Sequence, residues 1–72
     1  MATEPHLELR LNGEPKTVAL GATLLDLLQE LGRDPRTVAV ELNGEIVRRA
    51  RFAEASLRAG DRVELVHFVQ GG

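Results

Sequence analysis

The sequence predicts an α+β roll, one helix laid against one sheet. Three observations predict it: apolar residues alternate singly in early and late stretches, they switch to helical spacing only between Thr23 and Leu31, and Asn-Gly pairs punctuate the strand-like runs. With 72 residues the chain holds one domain, residues 1–72, because domains much below about 50 residues rarely stand alone.

His6 to Leu11 alternates, with Leu7, Leu9 and Leu11 on one face and Glu8 and Arg10 on the other, as a half-buried strand requires. Asn12-Gly13 supplies the positive φ values of a tight hairpin turn. The return strand runs from about Glu14 to Leu20, with Val18 and Leu20 expected inward, and Pro15 assigns it to an edge because proline donates no ladder hydrogen bond.

Thr23 and Asp26 read as an N-cap and its capping-box partner. Leu24, Leu27, Leu28 and Leu31 line one helix face, with Leu25 at its margin, and Gly32 followed by Pro35 ends the helix. Val38, Val40 and Leu42 form the apolar side of a third strand, and Asn43-Gly44 turns it into a fourth that begins at Glu45. From Arg49 to Ala59 the periodicity breaks into a long connection with a helical turn, pinned to the core by Phe52 and Leu57. Gly60-Asp61 then turns the chain into a last strand running from Arg62 to Val69.

The bulk properties exclude several function classes. A net charge of -2 gives no electrostatic footprint for nucleic acid, and Phe52 and Phe68 are too few aromatics for a base-stacking platform. Without cysteine there is no thiol nucleophile, disulfide framework or cysteine-containing zinc site. The start of the chain has no positive region followed by an apolar run, and no stretch approaches the roughly 18 apolar residues of a membrane span, so the expected location is the cytoplasm, away from membranes. So small a core leaves little room for buried catalytic groups and favours a carrier or binding role.

His6 and His67 offer no ligand-like spacing, so no metal site is expected, and Asp26 and Glu30 read as a solvated helix face. No glycine-rich phosphate loop is present. The informative feature is the end of the sequence, Gly71-Gly72, directly after the last strand. Two glycines pass through a narrow channel without a Cβ clash and can deliver a carboxylate into another protein's active site. Taken alone, a diglycine reads more readily as a frayed end, since last residues are usually poorly ordered.

In order and spacing the chain resembles the ubiquitin-like (β-grasp) sulfur carriers, most closely those of thiamin biosynthesis. The likeness rests on Asn12-Gly13-Glu14, the helix start Thr23-Leu24-Leu25-Asp26-Leu27-Leu28, Val38-Ala39-Val40-Glu41-Leu42-Asn43-Gly44, Ile46-Val47, and Gly60 to Val69 before the diglycine. The resemblance implies a β-grasp roll, a mixed sheet packed on one helix in the order β-β-α-β-β-helical turn-β. The first and last strands are then parallel neighbours, and residues 69–72 form an exposed, flexible tail. Arg48-Arg49 stands where the family often has proline and arginine, and Gln70 where many members have a third glycine.

The same resemblance implies the chemistry. An adenylyltransferase of the ubiquitin-activating type uses ATP to adenylate the Gly72 carboxylate, and a sulfur donor system, a cysteine desulfurase or similar, converts it to a thiocarboxylate. Thiazole synthase then takes the sulfur. Gly71 and Gln70 thread the partner's active site, and the carrier supplies no catalytic side chain and binds no cofactor. Phe68 and Val69, with the basic Arg48, Arg49 and Arg51, are the candidate partner surface, because the last strand carries apolar residues on both faces. A carrier for molybdopterin synthesis or transfer-RNA thiolation would share the tail, whereas a non-covalent β-grasp interaction module would not need it.

Overall fold

The computed structural model describes residues 5–68. Five strands form one mixed sheet: β1 (His6–Leu11), β2 (Glu14–Ala19), β3 (Val38–Leu42), β4 (Glu45–Val47) and β5 (Arg62–His67), in the spatial order β2-β1-β5-β3-β4. β1 and β5 are parallel, and the other neighbouring pairs are antiparallel. A parallel pair needs a crossover, and here everything between the first and last strands supplies it. The fold is the β-grasp roll that the resemblance implied.

Both hairpins turn as their residues dictate. Asn12 and Gly13 take φ of 51° and 84°, and Asn43 and Gly44 take 55° and 88°, the left-handed values that a two-residue hairpin loop requires. Pro15 sits on β2, an outer strand of the sheet.

α1 (Leu24–Glu30) starts at the expected cap. The Asp26 N–H donates to Thr23 Oγ1 over 3.2 Å, and the Thr23 N–H donates back to Asp26 Oδ2 over 3.0 Å, so two orphan donors of the first turn are satisfied. Leu24, Leu27 and Leu28 are fully buried against the sheet, while Leu25 and Leu31 pack at the margin. Leu7, Leu9, Val18, Val38, Val40 and Val63 cover them from the strands, and Phe52 and Leu57 close the core from the long connection. That connection contains one 3-10 turn, Arg49–Arg51, and a second 3-10 turn, Pro35–Thr37, precedes β3.

Leu20 departs from expectation, being 66% exposed instead of inward. β2 ends at Ala19, and the chain at once turns, with the Ala22 N–H donating to the Ala19 carbonyl and Gly21 at φ 91°. Strand alternation no longer governs Leu20, and the turn carries its side chain outward. β5 ends as a strand at His67, although the Phe68 N–H still bonds the Thr37 carbonyl at 2.9 Å. Val69 lies outside the described residues.

Candidate functional site

Of the residues singled out in the sequence, Gly72, Gly71, Gln70 and Val69 lie outside the described residues, whereas Phe68, Arg48 and Arg49 lie within them. The structure therefore defines the platform at the root of the tail. β5 is the middle strand of five, flanked by β1 over its first residues and by β3 along its whole length, so the described chain ends on a strand still bonded to β3.

Both hairpin turns reach over to hold this strand. The Leu65 N–H donates to Asn12 Oδ1 at 2.8 Å, and the Arg62 N–H donates to Asn43 Oδ1 at 2.8 Å. Asn43 Nδ2 in turn donates to Asp61 Oδ1 at 3.0 Å, and Asp61 Oδ2 accepts the Arg58 N–H at 2.8 Å, fixing the turn that launches β5. Sequence reading took the two asparagines only as turn formers. Their long-range role had no local signal.

The alternation of β5 divides its side chains as expected. Val63 is buried and Leu65 half-buried on the helix side, while Val66, 61% exposed, and Phe68, 42% exposed, point to the other face, which no described element covers. Val66 lies beside Ala39 of β3, and Phe68 bonds back to Thr37, so the apolar patch sits where β3 begins and β5 finishes. β4 and β5 both run antiparallel to β3, so the end of β4 comes to that same side of the molecule. β4 itself lies two strand spacings, roughly 10 Å, from β5, and Arg48 and Arg49 follow it directly, both exposed. The fold thus brings the basic pair and Phe68 to one end of the sheet. Arg51 is turned to local use, donating to Glu54 Oε1 at 2.9 Å.

The same end carries Asp34, which caps the 3-10 turn before β3. Hydrogen bonds from the Arg36 guanidinium and the Arg36 N–H hold its carboxyl at about 2, well below the usual carboxylate value, with smaller help from the charges of Arg36 and Arg49. The Asp34 charge stands within reach of Arg49.

The two histidines stand far apart. His6 opens β1 and His67 closes the parallel β5, which puts them at opposite ends of the sheet, and no group of three or more metal-ligating side chains occurs among the described residues. Asp26 is taken by the helix cap, and Glu30 by a 3.0 Å ion pair with Lys16. A shallow cavity of about 270 Å³ between β2 and α1, lined by Val18, Leu20, Leu27 and Glu30, takes no residue from β5. No helix of the described residues is long and apolar enough to cross a membrane.

The ThiS family model matches residues 9–72. A thiazole synthase of Magnetococcus marinus is 42% identical over 66 residues, which is 92% of this chain and only 20% of that protein, so the chain spans about a fifth of the length of this relative. The sulfur carrier protein ThiS of Thermus thermophilus is 44% identical over 62 residues, covering 86% of this chain and 95% of the relative. The crystal structure of the thiamine biosynthesis protein ThiS from Geobacter metallireducens superimposes with a TM-score of 0.78 at 38% identity, covering 92% of this chain and all of the other.

Proposed function

The chain belongs to the ThiS family, and from that premise we propose that it is a sulfur carrier in thiamin biosynthesis, a protein co-substrate acted on by partner enzymes. The observation that carries this reading is that the family match runs through Gly72, so the diglycine lies inside the likeness.

In this reading Gly72 bears a free α-carboxyl group, ionised at neutral pH because such groups titrate at about 3.3 to 3.7. A carboxylate oxygen attacks the α-phosphorus of ATP on an adenylyltransferase, and pyrophosphate leaves. The resulting acyl-adenylate is a mixed anhydride. A sulfide equivalent from the donor system adds to the acyl carbon, AMP departs with the electron pair of the broken C–O bond, and a thiocarboxylate remains. Thiazole synthase is the acceptor. In support, a chain bearing that name includes a segment similar to this one as a fifth of its length.

The carrier's task in each step is delivery. The ladder from β3 holds β5 as far as Phe68, and the uncovered Val66 and Phe68 with Arg48 and Arg49 offer the partner an apolar and basic surface at that point.

The test is intact-mass spectrometry after incubation with the cognate adenylyltransferase, ATP and a sulfur donor. Replacement of one carboxyl oxygen by sulfur is expected, and no ATP-dependent mass change overturns the reading. Deleting Gly72 should abolish charging while the thermal transition stays where it was. A shortened chain that is still charged would favour the non-covalent interaction module.

A further inference from the structure

β5 outruns β1. Their parallel pairing covers only Arg10 with Arg62 and Leu11 with Val63, although β5 continues to His67. Asn12 prolongs the ladder by one rung, its N–H donating to the Val63 carbonyl and its side chain accepting the Leu65 N–H. Beyond that rung β1 offers nothing.

The bonds from the Phe68 N–H to Thr37 and from the Asn43 N–H to the Arg62 carbonyl set the even-numbered residues of β5 toward β3. Leu65 and His67 therefore direct their remaining main-chain groups, the Leu65 carbonyl and the His67 N–H and carbonyl, to the side that β1 has left. No described residue bonds them there. Three unpaired main-chain groups in a row form a short template for an added strand.

A cavity of about 150 Å³ lies at this place, walled by Leu11, Leu31, Val38 and Leu65 and lined also by Arg33 and His67. A strand laid beside Leu65–His67 sends every second side chain toward the helix side of the sheet, where this cavity is. Its volume suits one medium apolar side chain. Arg33 makes no ion pair among the described residues, so a carboxylate next to that apolar side chain finds a cation.

We propose that this free side of β5 and the cavity beside it receive an extended segment of the activating enzyme, one apolar residue filling the cavity and an acidic neighbour meeting Arg33. The proposal rests on the sulfur-carrier reading. Residues 69–72 span at most about 14 Å when extended, so the enzyme's catalytic centre must stand within that reach of Phe68. A strand paired at Leu65–His67 brings the enzyme's own main chain within that reach of its catalytic centre.

The test is the ATP- and carrier-dependent charging reaction, with KM for the carrier separated from kcat. His67→Pro removes the outward N–H, which has no internal partner, and His67→Ala keeps it. KM for the proline variant should exceed that for the alanine variant at least tenfold at similar kcat, and Arg33→Glu should raise KM at least fivefold even if the proline variant does not fold. Equal KM for the two His67 variants, or wild-type KM for Arg33→Glu, overturns the proposal while leaving the carrier reading intact. A wild-type chain that is never charged removes both. Amide hydrogen exchange at His67 distinguishes the occupants: protection that appears only with the enzyme supports the proposal, and protection already complete in the free chain, or rising with carrier concentration, overturns it.

Discussion

The Asn12 side chain accepts the Leu65 N–H at 2.8 Å, joining residues 53 positions apart. One asparagine therefore serves two structures. Its backbone, at φ 51°, makes the first hairpin turn, and its amide oxygen continues the parallel ladder on which the last strand depends.

Asn12→Gly separates these duties, because glycine keeps the left-handed backbone and loses the acceptor. We expect a loss of about 0.5–1.5 kcal/mol in urea unfolding, with faster amide exchange at Leu65. Asn12→Ala should cost roughly 1–2 kcal/mol more, since a Cβ is disfavoured at that φ. Equal stability of the two variants would show that the turn conformation is not what the asparagine secures.

The two leucines at opposite extremes of burial give a sharp contrast. Leu28 is 0% exposed and Leu20 is 66% exposed. Leu28→Ala should lose about 2–5 kcal/mol, a large part of the roughly 4–11 kcal/mol expected of a domain this size, whereas Leu20→Ala should stay within about 0.5 kcal/mol. Thermal and urea unfolding of the pair measures the difference, and a large loss at Leu20 would return that residue to the core.

Acid should weaken the turn before β3. The Asp34 carboxyl titrates at about 2 in the fold against an ordinary 3.8, so its ionised form favours the folded state. Its contribution is full above pH 3.8 and is lost as the pH falls toward 2. The carboxyl carbon shift of Asp34 should show that low midpoint in an NMR titration, and Asp34→Asn should flatten the stability profile across the same window. A midpoint near 3.8 would mean that Arg36 does not hold the carboxylate in solution.

On the uncovered face, Val66→Lys should leave the unfolding midpoint nearly unchanged, because the side chain is 61% exposed. Under the sulfur-carrier reading it should weaken the encounter with the activating enzyme about tenfold or more, read as KM for the carrier, by placing a charge in an apolar patch. Unaltered KM would move the docking surface away from Val66 and Phe68.

What the sequence revealed follows the range over which each signal acts. The Asn-Gly turns, the Thr23 cap and the leucine stripe of α1 are chemistry between near neighbours, and all were legible. Leu20 was misread because alternation was counted past Ala19 into a turn opened by Gly21. The clamps from Asn12 to Leu65 and from Asn43 to Arg62 cross 53 and 19 positions, and nothing near either asparagine announces them. Likewise Arg48 and Phe68 share one end of the sheet only because β4 and β5 both run against β3, which is a matter of topology.

The central position of β5 bears also on when the molecule comes into being. The β1–β2 and β3–β4 hairpins are local and can form early, yet they have no common strand until Arg62–His67 has emerged. Domains fold as their last segment leaves the ribosome, and a strand that pairs with the most distant part of the chain makes completion all-or-none. A nascent or truncated chain therefore lacks the middle of its sheet for as long as it lacks β5, and under the sulfur-carrier reading it offers an activating enzyme no folded platform.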